Sequence, residues 1–144
     1  MKKVIVMAIA LMASAMTFAG DSEALKAITK TKNYAEAVKL VESTLGQLTD
    51  DSERAKAYNH LVDLAMNRVQ EQTGIAAENV AAAATGGKVK PYDTLALADG
   101  ICNAMEQAYK CDVYDQKPNA KGKIAPRYAK KNAERIWAVR QNLI

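Results

Sequence analysis

The chain has 144 residues, of which 49% are apolar and 25% charged, with seven glycines, three prolines, one histidine, two cysteines and a formal net charge of +4. That balance excludes a disordered chain and lacks the strong basic excess of a nucleic-acid binder. Abundant Ala beside a single Phe and a single Trp favours closely packed helices over a sheet-based core.

Residues 1–19 read as an export signal. Lys2 and Lys3 form a basic start, Val4 to Met16 is uncharged and apolar, and Thr17-Phe18-Ala19 supplies small residues for cleavage. The apolar run is short for a stable membrane span, and no Cys follows it to carry a lipid. The expected product is periplasmic or secreted, begins at Gly20, has no transmembrane segment, and carries 18 Lys or Arg against 16 acids.

The periodicity predicts a short helix over about 22–31, with Ala24, Leu25, Ala27 and Ile28 as its apolar face. A second helix starts near Tyr34, where steps of three and four align Tyr34, Ala37, Val38, Val41, Leu45 and Leu48. Asp50 with Glu53 three residues later has the spacing of a capping box and opens a third helix. Its inner face is Ala55, Tyr58, Leu61, Val62, Ala65 and Val69, and Gly74 is its first stop signal. An Ala-rich stretch at 75–90 predicts a short, weakly packed helix and then a turn at Gly86-Gly87.

After Pro91 a fourth helix carries two neighbouring stripes. One is Leu95, Ala98, Cys102, Met105 and Tyr109; the other is Leu97, Ile101, Ala104, Ala108 and Cys111, and together they predict a broad buried face. Cys102 and Cys111 are then small packing residues, because nine residues of helix separate them by about 13.5 Å of rise, outside disulfide reach. Residues 115–126 are a loop, and a last helix from about Pro126 presents Ala129, Ala133, Ile136, Trp137 and Leu143.

The chemistry of an enzyme is missing from this pattern. A lone His60 cannot build a paired-histidine metal site, and "TGGKVK" lacks the upstream Gly and the Ser or Thr of a phosphate-binding loop. Asp50 and Asp51 are adjacent and serve capping better than paired-carboxylate catalysis. No Ser or Cys sits in a nucleophile motif. The expectation is a non-catalytic protein without a cofactor or metal.

The stretch Asn33-Tyr34-Ala35-Glu36-Ala37-Val38 resembles the second helix of a tetratricopeptide repeat, and "AKAYNHLVDLA" from Ala55 to Ala65 resembles the first helix of the next unit. Tyr58 takes the family's large aromatic position and Leu61 its aliphatic one, whereas Val62 stands where the family prefers Gly and argues against close helix approach there. The resemblance covers residues 21–72; further helices at 92–114 and 126–143 complete a single domain over 20–144. It implies an all-α fold of antiparallel helix pairs, a short α-solenoid, in secreted bacterial style, that binds a protein or peptide partner in the cell envelope or self-associates.

Two surfaces are candidates for that binding. The first is the polar face Lys56, Asn59, Asp63 and Asn67, at slots that line the concave groove in the family. The second is the basic C-terminal third, where residues 110–144 hold nine Lys or Arg against three acids. There Lys121, Lys123, Arg127, Lys130 and Lys131, flanked by Lys117 and Arg135, suit an anionic surface, an acidic protein or a glycan. Export argues against nucleic acid as the partner.

Overall fold

The computed structural model describes residues 20–118 and 121–141; the expected export signal lies outside the described residues. Among the described residues five helices follow one another: α1 (Glu23–Lys30), α2 (Tyr34–Thr44), α3 (Asp51–Thr85), α4 (Thr94–Asp115) and α5 (Ala129–Arg140), with a 3₁₀ turn at Leu45–Gln47. No strand occurs among the described residues, so the fold is all-α.

Side-chain caps set most of the helix starts. Ser22, Asn33, Asp50 and Asp93 each accept a hydrogen bond from the backbone N–H three residues on, satisfying one of the donors that a helix N-terminus leaves open. The expected capping box is only half formed. Asp50 accepts from the Glu53 N–H at 2.9 Å, but the Glu53 carboxylate reaches past Asp50 to the N–H of Thr49 (3.0 Å) and to the N–H and hydroxyl of Ser22 (2.6 and 2.7 Å). Burial works against the Glu53 charge, yet these donors more than offset it and hold its pKa below the ordinary value. One carboxylate thereby fastens the start of α1 to the start of α3.

The third helix runs straight through Gly74, where the sequence predicted a stop, and absorbs the segment expected to form a separate short helix. A glycine inside a helix costs about 1 kcal/mol relative to Ala, too little to end a helix whose following residues are mostly Ala. The stop falls at Gly86, whose φ of 75° places it in the left-handed conformation. Asn79 accepts from the Lys90 N–H at 2.7 Å and donates to its carbonyl at 2.8 Å, folding the chain back along the end of α3.

Two apolar clusters make the core. In the first, Ala24, Leu25 and Ile28 of α1 and Ala37 and Val41 of α2 meet Ala55, Tyr58, Leu61 and Leu64 of α3, and Tyr58 stacks on Tyr114 at 5.8 Å. In the second, Val62, Ala65, Met66 and Val69 of α3 meet Leu97, Ile101, Ala104 and Ala108 of α4 and Ile136 of α5. The contact between α3 and α4 is the most extensive in the molecule. Full burial of Val62, Val69 and Ile101 contributes about 1.5–3 kcal/mol for each side chain.

The close approach of these helices depends on Gly100, a position the sequence pattern did not single out. A Cβ built there would lie 2.9 Å from Val69 Cγ2 and 3.4 Å from the Ala65 carbonyl oxygen. Val62, on the expected inner face of α3, is fully buried in the same apolar cluster.

The fourth helix buries one of its two stripes. Leu97, Ile101, Ala104, Ala108 and Cys111 are inside, whereas Leu95, Cys102, Met105 and Tyr109 face outward, which corrects the expected broad buried face. Both thiols are free on one continuous helix. Cys111 donates to the Ala55 carbonyl at 3.3 Å, and burial, helped by Asp115 and Asp112, pushes its pKa up to about 12.

The two helical glycines should therefore respond oppositely to the same substitution. Gly74, with open space around its Cβ position, gains about 0.5–1 kcal/mol as Gly74→Ala. Gly100→Ala is expected to lose about 1–3 kcal/mol to overpacking against the stiff Val69, more than its gain in helix propensity. Urea melts of the two variants check this; a stabilised Gly100→Ala would contradict the tight contact.

Candidate functional site

Three of the four residues on the expected polar face have partners inside the chain. Lys56 pairs with Asp21 at 2.6 Å. Asn59 is buried and accepts from Asn132 Nδ2 of α5 at 3.2 Å, while Asp63 pairs with Arg135 of α5 at 2.7 Å. Asn67 lies apart from them, in a cleft of about 560 Å³ that Lys32, Arg68, Asp99, Asn103 and the apolar Leu64 and Leu95 also line. The fifth helix thus covers Asn59 and Asp63, two of the four slots that the repeat resemblance assigned to a ligand.

The basic residues are similarly dispersed. Arg127 reaches α3, donating to the Ser52 carbonyl and hydroxyl at 2.9 and 2.7 Å, and its guanidinium lies 4.8 Å from the Tyr128 ring centre. Lys131 sits over the other residues' shared aromatic, Tyr128, at 5.7 Å, and Lys117 lies 3.7 Å from Asp51. Lys130 is strongly exposed, 3.9 Å from Glu134, and Lys121 and Lys123 are exposed in the connection before α5.

The placement of α5 comes from a carboxylate on another helix. Tyr128 gives α5 no side-chain cap. The buried Asp115, last residue of α4, supplies one: it accepts from the N–H groups of Arg127 (2.9 Å), Tyr128 (2.9 Å) and Ala129 (3.1 Å). Three open donors of the α5 N-terminus thereby find one anion, which also faces the positive end of the helix dipole. The helix begins at Ala129, not at Pro126 as expected.

The inner face of α5 also differs from the expected one. Tyr128, Asn132, Ile136 and Val139 turn inward, whereas Ala133 and Trp137 turn outward. Asn132 is 1% exposed and tolerates burial because it donates to Asn59 and accepts from Arg135 Nε and Nη2 at 3.0 and 2.6 Å. A polar residue occupies a core position, so hydrophobic periodicity rotated the predicted face of this helix.

These two shifts create a groove of about 630 Å³ between α4 and α5. Met105, Ala108 and Tyr109 form one wall, Ala133, Ile136 and Trp137 the other. Tyr109 is 73% and Trp137 61% exposed, and the Arg140 guanidinium lies over the Trp137 ring at 3.1 Å. Asp112 lines the end of the groove near Ala129 and Asn132. Its Oδ1 is sealed from solvent and has no hydrogen-bond partner among the described residues. Burial, and secondarily Asp115, pushes the Asp112 pKa up.

Among the described residues, no three His, Cys, Asp or Glu side chains are placed to hold a metal ion, and no helix is long and apolar enough to cross a membrane. His60 Nε2 lies 2.8 Å from the Thr31 carbonyl, which can only accept, so the ring donates and joins α3 to the end of α1.

The sequence pattern contained Met105 and Tyr109 but assigned them to the core. A signal was available: α4 has more apolar surface than one contact face requires, and Tyr and Met are common residues of binding surfaces. The chain matches no protein-family model, no curated protein and no solved structure.

Asp115→Ala should release α5 and leave the contact between α3 and α4 in place. The loss of three charge-assisted bonds costs about 2 kcal/mol or more locally. Limited trypsin cleavage after Lys130, Lys131 and Arg135 is expected to accelerate by about tenfold or more, while far-UV dichroism keeps the signal of the other helices. An unchanged cleavage rate would show that the docking of α5 does not depend on this carboxylate.

Proposed function

We propose that this protein is a non-catalytic helical module of the cell envelope that binds a protein partner, and that the groove between α4 and α5 receives it. The observation that carries this reading is the grouping of Met105, Tyr109 and Trp137, all large and all exposed, around one apolar cleft. An exposed side chain of this kind is ordinary when scattered singly; a contiguous group with aromatic members is the composition of a binding surface. Two facing helices supply a rigid wall on either side, which lowers the ordering cost of association.

The tetratricopeptide-like character of the 21–72 region belongs to the same proposal. Support comes from the packing of α2 on the first half of α3 through Ala37, Val41, Ala55, Tyr58 and Leu61. In this reading the repeat-like pair is the supporting body, and α4 with α5 is the contact surface. Export to the periplasm or beyond is carried by the pattern of residues 1–19 alone.

Trp137 is the only tryptophan in the chain, so its emission reports on the groove directly. Amphipathic peptides selected on the folded protein should shift that emission to shorter wavelength as they bind. Tyr109→Glu, at an exposed position, is expected to weaken them by at least about tenfold, the loss of one aromatic hot spot, with an unchanged melting curve. Peptide binding that leaves Trp137 emission unmoved and survives Tyr109→Glu would overturn the assignment of the groove.

A further inference from the structure

The outer stripe of α4 has a spacing of its own. Leu95, Ala98, Cys102, Met105 and Tyr109 follow one another in alternating steps of three and four, and Val113 continues the same face. A step averaging about 3.5 residues is that of the seam along which one helix packs lengthwise on another. Inside the chain this seam stays uncovered: Leu95 is 74%, Met105 51% and Val113 46% exposed, and Cys102 is exposed as well.

The seam is continuous with the groove. Met105 and Tyr109 belong to both, and Trp137 of α5 extends the exposed apolar surface past them. From Leu95 to Tyr109 the helix rises about 21 Å. A residue that fills the groove alone leaves most of that length wet, whereas a helix about as long as α4 covers it.

Size then bears on what the occupant is. The exposed parts of Leu95, Met105, Tyr109, Val113 and Trp137 come to roughly 650 Å² per chain, against about 800 Å² that each partner contributes to a stable interface. Two copies joined by this face withdraw about 1,300 Å² from these five side chains alone, inside the range of about 1,200–2,000 Å² for specific complexes.

A second copy meets the remaining requirement with the face itself. In an isologous contact the same patch stands on both sides, so the partner's seam has the same length, spacing and apolar content. Full overlap also fixes the alignment: in a parallel pair in register, and in an antiparallel pair, the middle member of the seam lies opposite its own counterpart. That member is Cys102. It is small, as is Ala98 beside it on the seam, so two backbones can approach there while the larger Leu95, Met105 and Tyr109 pack on either side.

We infer that this protein forms a two-fold dimer through the outer face of α4, with Cys102 of each copy beside its counterpart. The inference rests on the proposed binding surface and names its partner: a second copy of this chain.

Light scattering of the purified protein between about 1 and 100 μM, under reducing conditions, is expected to show a monomer in equilibrium with a dimer. Tyr109→Glu should weaken the dimer by about a hundredfold or more, because the two-fold axis makes one substitution count twice, and Met105→Glu should act alike, both with helical dichroism retained. A short bis-maleimide should join two copies through Cys102, since paired helices lie about 8–10 Å apart and Cys111 is buried. Cys102→Ser removes that link and leaves the dimer in place.

A monomer throughout, a dimer indifferent to both substitutions, or a dimer that the reagent cannot link would each overturn the inference. The reading beneath it fails separately. A monomer whose Trp137 emission still answers to Tyr109-dependent peptides gives the surface to another protein, whereas a monomer without any Tyr109-dependent binding removes both.

Discussion

The contact between α3 and α4 at Gly100 is the constraint on which the rest of the molecule depends. The absence of a side chain there lets α4 settle against Val69 and the backbone of Ala65, and the stripes from Val62 to Val69 and from Leu97 to Ala108 interlock around that point. Once α4 is fixed, its C-terminal end is fixed as well. Tyr114 stacks on Tyr58, Cys111 reaches the Ala55 carbonyl, and Asp115 is held where it caps α5. The groove is thus positioned by a contact centred away from it at Gly100, to which only Ala108 and Ile136 of its lining belong.

Two buried carboxylates connect the short helices to this pair of long ones. Glu53 gathers the N–H groups of Ser22 and Thr49 together with the Ser22 hydroxyl, and Asp115 gathers those of Arg127, Tyr128 and Ala129. Short helices have little stability of their own, and a charge-assisted cap is stronger than a neutral hydrogen bond. Both carboxylates act from a neighbouring helix and satisfy donors that the short helix could not satisfy by itself. Arg54 does the complementary work at a C-terminal end, donating to the carbonyls of Leu45 and Leu48 where α2 tightens into its last turn.

Much of this architecture was legible in the sequence, and the parts that were not have specific causes. The start of α3 followed from Asp50, because a cap is a local event and its residue lies beside the helix it opens, and the starts of α1 and α2 followed from apolar spacing, with Ser22 and Asn33 as the caps found there. The inner faces of α1 and the first half of α3 followed from strict apolar spacing. Long-range caps were not legible, since nothing near Tyr128 in the chain announces Asp115. Gly74 misled because a glycine stop of this kind requires a positive φ, which is a property of the backbone at Gly86 and not of the residue type alone.

The candidate site was misread for the same kind of reason. Periodicity measures how apolar a face is, not whether another element covers it, so the outer stripe of α4 looked like core. Asn132 reversed the error on α5: a buried amide with all its partners reads as a surface residue until Asn59 and Arg135 are in view. Asn59 and Asp63 of the expected polar face of α3 are covered by α5, and the large exposed apolar side chains lie one layer further out. Hydrogen exchange across the folded chain tests this account most directly. Amides of 61–69 and 97–108 should be the slowest in the molecule, α5 should open at lower free energy, and the end of α3 beyond Gly74 should exchange fastest among the helices. Greater protection in α2 and the start of α3 than around Gly100 would contradict the claim that the contact between α3 and α4 carries the fold and its groove.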